Sequence, residues 1–194
     1  MLREVTTVEV EPSGDAEALL HDAFTRRSLA PPRLDTVEAD EIPEPFQSLL
    51  VHESDMTSTL QRYHGDRLLL RQLHCECSND IVYREVLLCR ESTGQPVEYG
   101  VIRIALNAFS AEARKAIEEG KIPLGQILDD FQVEYDSRPR RFFQISNEPY
   151  IEEQLADSGI STRYGRINRL ATPAGERLAE VVEILPGRRF DNHS

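Results

Sequence analysis

The sequence predicts an α+β fold, a single antiparallel β-sheet with helices packed on one side. Three observations carry this. Strand-like runs over residues 67–77, 81–90 and 97–106 are separated only by turn residues, Ser78-Asn79-Asp80 and Glu91-Ser92-Thr93-Gly94-Gln95-Pro96, as in an antiparallel meander. Capped helical segments then interrupt the strands. The last third returns to strand patterning and closes on a credible hairpin turn, Thr172-Pro173-Ala174-Gly175.

In chain order, residues 1–45 read as an N-terminal helix and Pro-rich extension, with the helix over about 15–26 and an extended connector carrying Pro31, Pro32, Pro43 and Pro45. Residues 46–194 hold the remaining elements of what is one structural domain overall. Phe46, Leu49, Leu50 and Val51 suit a short amphipathic helix. Ser54 or Asp55 can cap a second over 56–63, ended by Gly65. Ser110 opens a helix through Glu119 with Ala113, Ala116 and Ile117 inside and Gly120 at its end, and Pro123 opens another, short one. Strands are expected over 131–135, 140–145, 162–171 and 176–185, with a short helix near 150–155.

Composition narrows the function. The chain has 194 residues, 40% hydrophobic and 29% charged, a globular balance with room for a real core. A net charge of -12 argues against a nucleic-acid partner, which needs a basic surface. No apolar run approaches the roughly 20 residues of a membrane span, and Met1-Leu2-Arg3-Glu4 leads into acidic sequence rather than a signal peptide. These features predict a cytoplasmic protein, monomeric or weakly dimeric. Metal binding is not expected. Cys75 and Cys77 share one strand face about 6–7 Å apart while His74 points the other way, so buried structural thiols are the expectation. His21, His52, His64 and His193 show no ligand spacing either.

Two charges stand where apolar residues belong. Over 81–89 one face carries Val82, Arg84, Val86 and Leu88, so Arg84 interrupts an aliphatic row. A buried guanidinium cannot shed its proton and demands an anion. The ordinary alternative is an arginine that snorkels to the rim or pairs with a structural carboxylate. In the last strand Glu183 likewise breaks the row Ala179, Val181, Leu185. Either the two pair with each other in the core, or they line opposite ends of a ligand cavity. Periodicity leaves both open.

Several motifs together resemble the chorismate lyase (chorismate pyruvate-lyase) family, in its longer actinobacterial-type branch, from Leu49 onward. They are Leu49-Leu50 with Ser54-Asp55-Met56-Thr57, Tyr83-Arg84-Glu85-Val86-Leu87-Leu88-Cys89, Pro123-Leu124-Gly125, Tyr164-Gly165-Arg166-Ile167-Asn168-Arg169-Leu170, and Glu183-Ile184-Leu185-Pro186. Asp55 widens the Ser-Met-Thr pattern of the short enteric enzymes, and Tyr164 replaces a Trp. The resemblance implies a sheet with a buried site beneath covering segments, and conversion of chorismate to 4-hydroxybenzoate and pyruvate without metal or organic cofactor. It places Arg84 on the ring carboxylate, Glu183 on the ring hydroxyl, and Met56 and Leu124 in the covering segments against the ligand. The product would feed ubiquinone-type or secondary metabolism.

Such an elimination removes a ring proton as the ether C–O bond breaks, and aromatisation drives it. The protein's task is orientation and charge stabilisation in a dry pocket, with Arg84 and Glu183 as the catalytic pair. The enolpyruvyl carboxylate needs a further cation. Arg103, Lys121, Arg166 and Arg169 are candidates by motif, each more ordinarily a solvated surface charge. The alternatives are a non-catalytic sensing or binding module for a small aromatic acid with the same fold, and an enzyme giving another hydroxybenzoate isomer. A sensor that regulates transcription needs an output domain, and residues 1–45 are too short and acidic for a winged helix.

Overall fold

The computed structural model describes residues 16–187. Among these residues six α-helices and seven β-strands follow one another: α1 (Ala16–Arg26), β1 (Asp35–Val37), α2 (Phe46–Leu50), α3 (Met56–His64), β2 (Leu68–Ser78), β3 (Ile81–Arg90), β4 (Pro96–Ala105), α4 (Ala111–Glu119), α5 (Leu124–Asp130), β5 (Asp136–Ser146), α6 (Pro149–Leu155), β6 (Thr162–Ala171) and β7 (Arg177–Ile184). The strands form one seven-stranded sheet in the order β1-β5-β6-β7-β4-β3-β2, antiparallel at every pairing. The meander over β2, β3 and β4 occupies one half. A second run, β5 to β7, is inserted beside β4.

Local chemistry sets the helix ends. The Asp55 side chain accepts from the Ser58 backbone N–H at 2.8 Å and starts α3, and Gly65 ends it at φ 58°. Ser110 caps α4 in the same way, with Gly120 at φ 68° at its end. The expected strand over 131–135 does not form. Gln132 takes φ 52°, and the Val133 N–H bonds back to the Leu128 carbonyl, so this stretch terminates α5 instead. Its last residue, Tyr135, donates to Asp55 Oδ2 at 3.2 Å. The helix expected from residue 15 begins at Ala16; Asp15 lies outside the described residues.

Helices α2 to α5 cover one side of the sheet. Ile102, Ile104, Leu170 and Val181 pack there against Ile117, Leu124, Ile127 and Leu128, while Leu88 and Leu185 meet Leu49, Leu50 and Leu60. Helices α1 and α6 cover the other side, where Leu20, Phe24, Ile151 and Leu155 meet Leu87, Tyr99, Val101 and Val182. Glu85 anchors this second layer. It pairs with Arg27 at 2.5 Å and accepts from Tyr99 at 2.9 Å and Tyr150 at 2.6 Å, so all three partners converge on one buried carboxylate. Arg163 and Asp157, both fully buried, form a bidentate pair that fixes the chain leaving α6, and Asp157 also accepts from the Gly187 N–H. Among the described residues no helix is long and apolar enough to cross a membrane.

Gly165 on β6 has no room for a side chain: a Cβ there would lie 2.5 Å from the Glu183 carbonyl oxygen and 2.5 Å from the Phe143 ring. A backbone atom cannot swing away. Gly165→Ala should therefore destabilise the protein by about 1–3 kcal/mol, read as a lower urea midpoint with unchanged slope.

Candidate functional site

Between the sheet and the first turns of α3 and α5 lies a cavity offering about 60 Å³ to the centre of a water-sized sphere, several times the ~10–15 Å³ one water requires. Strand alternation builds its floor. Arg84, Val86 and Leu88 of β3, Glu98, Gly100, Ile102 and Ile104 of β4, Val181 and Glu183 of β7, and Asn168 and Leu170 of β6 all point to this face. The roof is Asp55, Met56 and Thr57 at the start of α3, with Pro123, Leu124 and Gly125 at the start of α5. The two roof segments touch closely, since a Cβ on Gly125 would sit 2.3 Å from Asp55 Oδ1. Arg84, Glu183, Met56 and Leu124, the four residues singled out from the sequence, thus line one cavity.

Arg84 is 1% exposed. Among the described residues its Nε and Nη2 have no hydrogen-bond partner and no carboxylate pairs with it. Burial pulls its pKa below the ordinary arginine value, opposed only by the nearby Cys75 thiol on β2, but a guanidinium keeps its charge at any physiological pH.

Glu183 does not pair with Arg84. It forms an ion pair with Arg166 Nε, directly across the β6–β7 register. Arg166 is fully buried rather than solvated, and its remaining N–H groups donate to the carbonyls of Leu50 at 3.0 Å, His52 at 3.1 Å and Ser54 at 3.2 Å. It also meets His52 Nδ1 at 3.3 Å, while His52 Nε2 lies 2.8 Å from the Leu49 carbonyl, an arrangement suited to a neutral ring protonated on Nε2. Burial and then Arg166 hold the His52 pKa below its usual value. Arg166 itself does not line the cavity.

Glu98, which the sequence reading passed over, is the second carboxyl in the cavity. It is 4% exposed, and its Oε2 has no hydrogen-bond partner. Burial, and then the facing charge of Glu183, raise its pKa well above the usual carboxylate range; Arg166 opposes this and Asp55 adds to it. Its surroundings therefore favour the protonated form. The signal was present: it starts the row Glu98, Gly100, Ile102, Ile104, a charge in an apolar row like the other two.

The other cations lie elsewhere. Arg103 pairs with Glu180, Arg169 donates to the Gly175 carbonyl on the hairpin, and Lys121 pairs with Glu119 at the surface. Cys75 and Cys77 are exposed, not buried, because they sit on edge strand β2; Cys89 is the buried thiol. Among the described residues no three His, Cys, Asp or Glu side chains are grouped to hold a metal ion.

Solved structures share the fold. PhnF from Mycobacterium smegmatis superposes with a TM-score of 0.54 at 6% identity, over 71% of this chain and 65% of that one. The fold is the chorismate lyase-like one. Effector-binding domains of GntR-family regulators share it. A GntR-family transcriptional regulator from Enterococcus faecalis matches over 64% of this chain and 98% of that one, at 13% identity and a TM-score of 0.45. The effector-binding domain of the trehalose repressor TreR from Bacillus subtilis matches over 65% and 96%, at 11% and 0.42. At these identities the likeness speaks for the fold alone. No protein-family model matches the chain, and no curated protein matches it.

The buried carboxyls set a pH dependence of stability. Because the folded-state pKa of Glu98 lies above its unfolded value, its stabilising contribution is complete below the unfolded carboxylate range and is lost as pH rises toward the folded value. Glu98→Gln cannot ionise. It should match the parent in acid and be the more stable of the two as pH rises, in urea melts across a pH series. Glu183→Gln strips Arg166 of its carboxylate and should cost about 3–5 kcal/mol near neutral pH.

Proposed function

We propose that this protein binds a small aromatic carboxylate as a ligand-sensing module. The observation that carries the reading is Arg84, a guanidinium 1% exposed, with two nitrogens unpartnered, held in an apolar-walled cavity. A charge buried without a counterion is destabilising and is kept where a ligand supplies the counterion. A carboxylate meets the guanidinium fork with two parallel hydrogen bonds. In strand register Glu183 lies about 7 Å along the strands and about 10 Å across them from Arg84, because Arg84 faces Ile102 and Glu183 faces Gly100. With both side chains reaching inward, one ring bearing a carboxylate and a polar group opposite it suits that span; 4-hydroxybenzoate is the model ligand. The shared fold with regulator effector domains supports binding without turnover, although fold alone does not assign function.

The second reading is chorismate lyase activity. What favours it is that Met56, Arg84, Leu124 and Glu183, the positions carried over by resemblance, all line the cavity. Against it stands the charge balance. Chorismate brings two carboxylates, and among the described residues lining the cavity Arg84 is the one cation; Arg166 behind it is already committed to Glu183 and three carbonyls.

Calorimetry with 4-hydroxybenzoate on the parent and Arg84→Met tests the binding reading. The parent should bind, and the variant should lose about 2–5 kcal/mol of affinity. The apo variant should be at least as stable as the parent, since it removes an unpaired buried charge. A destabilised variant that still binds would make Arg84 structural. Incubation with chorismate should release no pyruvate; turnover abolished in Arg84→Met would establish the lyase instead.

A further inference from the structure

The proposed ligand site has a carboxyl more than the resemblance accounts for. Glu98 and Glu183 lie on neighbouring strands, β4 and β7, and both line the cavity. One guanidinium, that of Arg166, serves them, and its contact is with Glu183. Two buried carboxyls sharing a single cation cannot both ionise cheaply, and the one away from the cation keeps the proton. Glu98 Oε2 is buried and unpartnered, so a polar group on the cavity side is left to be satisfied. Gly100, between them on the floor, keeps this corner open: a Cβ there would come 3.2 Å from Glu98 Oε1.

We propose that Glu98 and Glu183 form a donor–acceptor pair that reads a ligand hydroxyl from both sides, Glu98 donating to the hydroxyl oxygen while Glu183 accepts its hydrogen. The inference rests on the binding reading above and names the group selected at the end of the cavity away from Arg84. A hydroxyl is donor and acceptor at once and satisfies both carboxyls. Hydrogen in its place leaves Glu98 without a partner and Glu183 with Arg166 alone, and an ether offers an acceptor only. A site built around buried polar groups rejects ligands that leave them unpaired.

The groups facing Glu98 are Glu183 on β7, Arg166 on β6 and Asp55 ahead of α3. Asp55 is held by Tyr135 and the Ser58 N–H, and Glu183 by Arg166, which leaves Glu98 as the group whose proton bears on the hydroxyl.

The test measures affinity for 4-hydroxybenzoate and for benzoate in parent, Glu98→Gln and Glu98→Leu, across pH below the phenol's own ionisation. In the parent the hydroxyl should improve binding by about tenfold or more, and this gain should decline as pH rises toward the ionisation of Glu98. Glu98→Gln keeps a donor and should keep the gain while making it independent of pH. Glu98→Leu, melted alongside to establish that it folds, should lose most of it while still binding benzoate through Arg84. If benzoate and 4-hydroxybenzoate bind the parent but Glu98→Leu retains the whole gain, Glu98 does not touch the hydroxyl and this inference falls while the binding reading stands. If the parent binds neither compound, the binding reading falls and this one with it.

Discussion

The contact on which the site depends is the buried guanidinium of Arg166. It sits on β6 against Glu183 of β7, and from there it ties the carbonyls of Leu50, His52 and Ser54 to the sheet. Those residues form the passage between α2 and α3, so the position of Asp55 and Met56 over the cavity follows from one side chain. The clamp adds a charged donor to each of these three carbonyls, stronger than a neutral one. The same guanidinium contacts one buried carboxyl, Glu183, and leaves the other, Glu98, without an ion-pair partner among the described residues. Shape and charge at the site therefore have a common origin.

The two faces of the sheet solve the same problem in opposite ways. Adjacent residues of β3, Arg84 and Glu85, send opposite charges to opposite sides. Glu85 is met by Arg27, Tyr99 and Tyr150, and its satisfied network docks α1 and α6. Arg84 meets no carboxylate among the described residues, and the space before it is open. A satisfied buried charge reads as architecture and an unsatisfied one as a place for a ligand, and here both lie within one dipeptide.

Much of this was legible in the chain. The period-two pattern located the strands, and Ser110, Asp55, Gly65 and Gly120 marked helix ends through side-chain acceptors and left-handed φ. Residues 131–135 misled, because Phe131, Val133 and Tyr135 alternate as a strand would; Phe131 in fact remains exposed at the end of α5 and Tyr135 serves Asp55. Cys75 and Cys77 misled for a different reason. Their strand is at the sheet edge, and a sequence does not say which strand is outermost.

What the sequence by itself determined is which side chains share a face, since alternation is a local property of an extended backbone: Arg84 with Val86 and Leu88, Glu183 with Val181, and Glu98 with Gly100 and Ile102. What only the tertiary structure decided is which of these charges meet. Strand order brings β4 and β7 together between β3 and β6, so Glu183 falls opposite Arg166 rather than Arg84, and Glu98 falls beside Glu183. Pairing across strands depends on register between segments far apart in the chain, and no periodicity within one strand encodes its partner.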